Sequence, residues 1–251
     1  MFKQIQSRYS VLQWRLQGIL LFSIFILSAC EKNDQTFQID YKYSYFPIRQ
    51  GHYVVYDVDS IVYNDNTGTV DSFHYQKKHV IDSMFTDNEG REAYRLVRYQ
   101  RENASQQWQL TDVWYFVRTS SALEMVEENQ RFVKLVFPPK TGLSWNGNKY
   151  ITQTDNWWFW KPVPWEYQIT ELDVPASFGL LQFDSTLTVV QQDKESLIQK
   201  VKSVEQYAKN VGLVYKYFLA LDKSKGDISR PWTEPDFGFI FTMQIVEYGM
   251  E

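Results

Sequence analysis

His52-Tyr53-Val54-Val55-Tyr56-Asp57-Val58-Asp59-Ser60-Ile61-Val62-Tyr63 places Val54, Tyr56 and Val58 on one side and Asp57 and Asp59 on the other. A period of two describes a half-buried strand and not a helix. The stretch stops at Asn64-Asp65-Asn66-Thr67-Gly68, a cluster of residues suited to tight turns. The same unit recurs outward from there. Ser72 to Met84 ends at the Asp87-Asn88-Glu89-Gly90 turn, and Glu92 to Arg101 ends at Asn103-Ala104-Ser105. Gln107 to Arg118, Ala122 to Glu127 and Arg131 to Phe137 follow, again separated by short polar turns. Connections this short join antiparallel neighbours, because a parallel pair needs a crossover of a dozen residues or more.

The break Pro138-Pro139-Lys140-Thr141-Gly142 and the turn Trp145-Asn146-Gly147-Asn148 open a second group of strands. These are Lys149 to Thr154, Trp165 to Leu172, Gly179 to Gln191, Val211 to Leu221 and Phe237 to Tyr248. Between the third and fourth, Leu197, Val201, Val204, Ala208 and Val211 fall at helical spacing, although Gln199 to Val204 also alternates. With Asp193 as cap and Gly212 past the end, the spacing predicts a short helix near Val204 to Lys209. The expected fold is mainly β: a long antiparallel meander curled into an incomplete barrel, with one short helix. A sheet of about ten strands tends to curl or close on itself.

Upstream of the strands, Lys3, Arg8 and Arg15 precede an apolar run from Ile19 to Ala29 that contains no acid and ends at Leu27-Ser28-Ala29-Cys30. A basic start, an apolar middle and small residues at the end make residues 1–29 an export leader. The run is about half the ~20 apolar residues that a spanning helix needs. The organisation expected is thus a leader (1–29), a polar tether (30–38) and a single β domain (39–251). The leader holds three of the 26 basic residues and none of the 30 acidic ones, leaving 23 against 30. Such an acidic balance argues against nucleic acid or anionic headgroups as partners. Aromatic residues make up 17% of the chain, enough for a packed core. With one cysteine, no intrachain disulfide can form.

The tetrapeptide ending at Cys30 resembles the lipobox of bacterial lipoproteins, in which the cysteine is acylated and becomes the first mature residue. Two further stretches carry a narrower resemblance. Tyr45-Phe46-Pro47-Ile48-Arg49-Gln50-Gly51-His52-Tyr53 resembles the opening, and Glu205-Gln206-Tyr207-Ala208-Lys209-Asn210-Val211-Gly212-Leu213-Val214-Tyr215 the closing signature, of uncharacterised Bacteroidota outer-membrane lipoproteins. The resemblance implies an outer-membrane protein anchored through acylated Cys30, with the leaflet left open by the partial acidic signal Glu31 and Asp34. It carries no catalytic residues. Asp59-Ser60-Ile61, Asp82-Ser83-Met84 and Asp184-Ser185-Thr186 resemble the O-glycosylation acceptor of the same bacteria, which makes Ser60, Ser83 and Ser185 candidate acceptors.

The densest chemistry lies in Trp157, Trp158, Phe159, Trp160, Trp165 and Tyr167, interrupted by Pro162 and Pro164. Aromatic faces stack on sugars and fill apolar grooves, and proline stiffness lowers the cost of ordering a loop on binding. These six residues are the candidate ligand or partner surface. His52, His74 and His79 lack the spacing of a zinc site and read as ordinary strand residues. The loop Asp222 to Asp227 has two lysines where a calcium loop needs oxygen donors, so it reads as a solvated hairpin loop. Neither a Gly-x-Ser-x-Gly elbow nor a Cys-His pair occurs. On a continuous strand Glu171 and Asp173 would share a face, a pattern common among surface acids. No metal or cofactor is expected. The sequence implies a non-catalytic envelope module that binds a glycan or an apolar ligand. The alternative is an assembly lipoprotein docking on an outer-membrane protein.

Overall fold

The computed structural model describes residues 39–151 and 165–251. The leader, Cys30, the tether, residues 152–154 of an expected strand, and Trp157, Trp158, Phe159 and Trp160 lie outside the described residues.

From Asp40 onward the described chain forms one compact unit. A 3-10 turn at Tyr43–Tyr45 leads into twelve strands. They are β1 (His52–Tyr63), β2 (Val70–Thr86), β3 (Glu92–Arg101), β4 (Gln109–Arg118), β5 (Ala122–Glu127), β6 (Gln130–Val136), β7 (Ser144–Asn146), β8 (Glu166–Phe178), β9 (Leu181–Glu195), β10 (Gln199–Ala208), β11 (Gly212–Asp222) and β12 (Phe237–Met250). All pairings are antiparallel and sequential, except that the last strand returns to the first, with His52 opposite Met250 and Tyr63 opposite Gly238. The sheet order is therefore β6 through β1, then β12 through β7. Its two outer strands approach each other, giving a nearly closed barrel. At the seam Val133 N donates to Gly147 O at 2.7 Å and Trp145 Nε1 to Val133 O at 2.8 Å.

An up-and-down meander has two ends. At the first lie the β2–β3, β4–β5, β6–β7, β8–β9 and β10–β11 turns, together with the segment before β1. That segment plugs the barrel. Phe46 packs edge-on against Phe116 at 5.0 Å and against Tyr207 at 6.5 Å, and Arg118 Nη1 donates to Phe46 O at 3.3 Å. Asn210 N donates to Ser44 O at 2.7 Å, and His52 Nε2 lies 2.8 Å from Val211 O. The opening and closing stretches that carried the family resemblance thus meet at one end of the barrel. Inward-facing Phe116, Leu123, Leu135, Ile169, Leu187 and Val58 are fully buried, each stabilising the fold by about 1.5–3 kcal/mol.

Two expectations are corrected. Val204 to Lys209 contains no helix, because β10 runs through it to Ala208. Ser203, Glu205 and Tyr207 point inward at period two, and Val201, Val204 and Ala208 at helical spacing lie on that strand by coincidence, with Leu197 and Val211 in the turns flanking it. Lys149 and Tyr150 belong to a turn, and the strand of that region is the preceding Ser144–Asn146.

Candidate functional site

Directly opposed residues of an antiparallel ladder share a face. Counting round the barrel from β1 therefore identifies what points inside. In one direction Val54 opposes His79, His79 opposes Arg98, and Arg98 opposes Asp112, while Leu96 opposes Trp114. In the other, Val58 opposes Met243, Met243 opposes Lys216, and Lys216 opposes Glu205. One row nearer the second end, Tyr56 opposes Lys77, which opposes Gln100. Charged residues from half the strands accordingly converge on the interior.

They surround a chamber of about 100 Å³. Phe46, Val54, Ile81, Leu96, Met125 and Met243 are among its apolar lining; His79, Arg98, Trp114, Lys134, Glu205 and Lys216 interleave with them as its polar lining. Phe46 and Pro47 bound it on the plugged side. At the second end the inward-facing Phe73 is 53% exposed, so among the described residues the interior meets solvent there.

Most of the charges are partnered. Glu205 lies 3.2 Å from Lys134 Nζ and 3.1 Å from Lys216 Nζ, and it accepts from Tyr207 OH at 2.6 Å. Lys134 also pairs with Glu127 at 2.7 Å. Burial alone would raise the Glu205 carboxyl, but Lys134, Lys216 and the Tyr207 hydroxyl override it and hold it down to about 2. Burial would likewise neutralise Lys134, yet Glu127 and Glu205 raise its ammonium above the ordinary value. Both groups are ionised, as a buried pair with satisfied hydrogen bonds should be.

The β1–β4 side is less balanced. Arg98 stacks over the Trp114 ring at 3.5 Å, donates from Nη1 to Asp112 at 2.8 Å and from Nε to His79 Nε2 at 3.1 Å. Burial, then the charges of Arg98, Lys77 and Lys216, push the His79 imidazole well below its ordinary value. It is neutral, and accepting at Nε2 assigns its proton to Nδ1. Among the described residues the Trp114 indole Nε1 is buried without an acceptor. Lys77 has no acid within ion-pairing distance among the described residues. Burial, then Arg98, brings its ammonium down to about 8.

The sequence-derived candidates are distributed differently. Tyr167 is corrected from surface to core: it is 2% exposed and packs against Trp145 at 5.7 Å. Trp165 is half-buried and edge-on to Phe218 at 6.0 Å. Ser60 lies on the inward row opposite Phe73 and Phe241. Ser185 is held by Tyr45 OH at 2.8 Å and donates to Asp173 at 3.0 Å. Ser83, beside the bulge in β2, donates only to Asp82 at 2.8 Å. Bulges on either side of Leu172 break the alternation that would have aligned Glu171 with Asp173. Glu171 accepts from Thr188 and Asp173 from Tyr45. His52, His74 and His79 all stand in strands, and His74 pairs with Asp59 at 2.8 Å on the exposed face.

The interior charges were missed because a lone charge in an alternating run reads as the solvent face. Lys134, set between Val133 and Leu135, carries the one usable signal: a cation inside an apolar strand segment that needs a partner.

No protein-family model matches the sequence, and no curated protein sequence matches it significantly. Among solved structures, the chain is similar to a "putative exported protein with YmcC-like fold" from Bacteroides fragilis, at 10% identity and a TM-score of 0.38, covering 80% of this chain and 98% of the other. It is also similar to a "putative lipoprotein" from Parabacteroides distasonis, at 12% identity and a TM-score of 0.28, with the same coverage.

Proposed function

We propose that this chain is a lipid-anchored cell-envelope protein, tethered through acylated Cys30 at the outer membrane, whose barrel interior receives a small ligand without transforming it. The observation that carries the binding reading is the chamber. Its wall interleaves apolar side chains with a few charged ones, Phe46 and Pro47 plug it at one end, and among the described residues the barrel interior meets solvent at the other. Concave sites with mostly apolar linings and a few convergent polar groups are the usual form of small-molecule receptacles. The anchor reading rests on the leader and on Leu27-Ser28-Ala29-Cys30. A glycan on the Trp157–Trp160 segment is the weaker reading, since nothing described places those rings around a concavity.

Methionine methyl groups report on the chamber directly. Met125 and Met243 line it, while Met84 and Met250 are exposed at other points. In ¹³C-methyl-methionine spectra of the full chain in nanodiscs, 1-butanol, butyramide and butyrate are expected to shift the first pair and leave the second unmoved. Failure of all three to move Met125 and Met243 would remove the binding reading. Cys30→Ala is expected to release the protein from the membrane fraction.

A further inference from the structure

The chamber reading leaves one class of polar group unexplained: donors. Glu205 is saturated by Lys134, Lys216 and Tyr207. Asp112 is engaged by Arg98 Nη1 at 2.8 Å. Among the described residues the Trp114 Nε1–H is buried with no acceptor, and Lys77, on the neighbouring inward row, makes no ion pair. His79 spends its Nε2 lone pair on Arg98, which leaves its ring proton on Nδ1. Arg98 donates from Nε and Nη1, and its Nη2 edge makes no hydrogen bond to the described residues. Buried donors without acceptors are uncommon in native proteins and ask for an occupant. Of these, the Trp114 Nε1–H is the buried donor without a partner among the described residues; it lies in the chamber wall with Arg98 and His79, and Lys77 stands on the adjacent inward row.

We infer that the chamber binds a small carboxylate, its acid group received by Arg98 and Trp114 with Lys77 supplying positive charge from the adjacent inward row, and its short apolar body lying toward Phe46, Leu96, Met125 and Met243. The inference rests on the binding reading above and adds the ligand class. A carboxylate is acceptor-only, which matches the unpartnered Trp114 donor, and the free guanidinium edge of Arg98 suits its two oxygens. Its single charge answers Lys77, which makes no ion pair among the described residues. Size limits the body. A cavity of ~150 Å³ holds a six-carbon ring, so about 100 Å³ accommodates roughly four to six non-hydrogen atoms. Butyrate is of that size.

The test compares butyrate with its neutral isosteres on the methyl groups of Met125 and Met243, using the full chain in nanodiscs. Butyrate is expected to saturate at concentrations at least ~10-fold below butyramide and 1-butanol, as a charge-assisted contact should. Lys77→Met and Trp114→Phe are each expected to weaken butyrate several-fold and to leave butyramide unchanged. Equal binding of butyrate and butyramide would overturn the carboxylate assignment while the chamber reading stood. Inorganic phosphate competing as well as butyrate would also overturn it, in favour of an inorganic anion. No shift with any organic probe would overturn both readings.

Discussion

Lys134 Nζ lies 3.2 Å from Glu205 Oε1 across the barrel interior, although the two residues are 71 positions apart in the chain. The contact joins β6 to β10, which are not neighbours in the sheet. It ties the two halves of the meander together through their side chains, close to a seam that has few backbone hydrogen bonds.

Removing one member of this cluster should cost far more than the cluster is worth. Glu205→Gln leaves Lys134 and Lys216 buried with one counter-charge fewer, and a loss of about 3–5 kcal/mol is expected in urea denaturation. Glu205→Gln combined with Lys216→Met restores charge balance while keeping the Lys134–Glu127 pair. It should recover most of that loss. Additive losses in the double variant would show that the two charges do not interact.

Acid should act through the same carboxylate. The Glu205 pKa falls from 4.5 in the unfolded chain to about 2 in the fold. The unfolded state therefore takes up the proton first as pH drops. The stabilisation is complete above 4.5 and lost on the way down to about 2. Urea midpoints of the parent should fall across that window, with a shallower fall in Glu205→Gln. Parallel curves would refute the assignment.

Lys77 has the opposite sign. Its ammonium is brought from 10.5 to about 8 by burial and Arg98, so the unfolded chain holds the proton more tightly. Stability should rise as pH climbs from about 8 towards 10.5. Lys77→Met should be more stable than the parent at neutral pH, by about 1 kcal/mol after allowing for partial solvation, and should lack the alkaline rise. A variant that is more stable and binds butyrate more weakly would mark Lys77 as a group whose place is explained by ligand and not by folding.

Gly147 governs the seam. Its carbonyl accepts from Val133 N at 2.7 Å, its own N–H donates to Trp165 O at 2.9 Å, and a Cβ here would overlap the buried Tyr167 ring. Gly147→Ala should cost about 2 kcal/mol or more, through overpacking and loss of these hydrogen bonds. Hydrogen exchange is expected to accelerate first at Val133. Uniform acceleration across all strands would instead indicate global destabilisation without a weakened seam.

The sequence by itself determined most of the strands and their antiparallel neighbours. At His52–Tyr63, Glu92–Arg101 and Ala122–Glu127, runs that alternate between apolar and polar and end in turn residues, the strand ends agree with the structure. Short turns then dictated a meander, since geometry leaves them no other partner. Only the tertiary structure decided what the inside of the barrel contains. Period two tells which residues share a face, but it names the core face only if that face is apolar. Around Glu205 it is not, which is why β10 was mistaken for a helix there. Barrel closure places Lys77, Arg98, Lys134, Glu205 and Lys216 opposite one another from five different strands. Their charges become interpretable only through partners that lie far away in the chain.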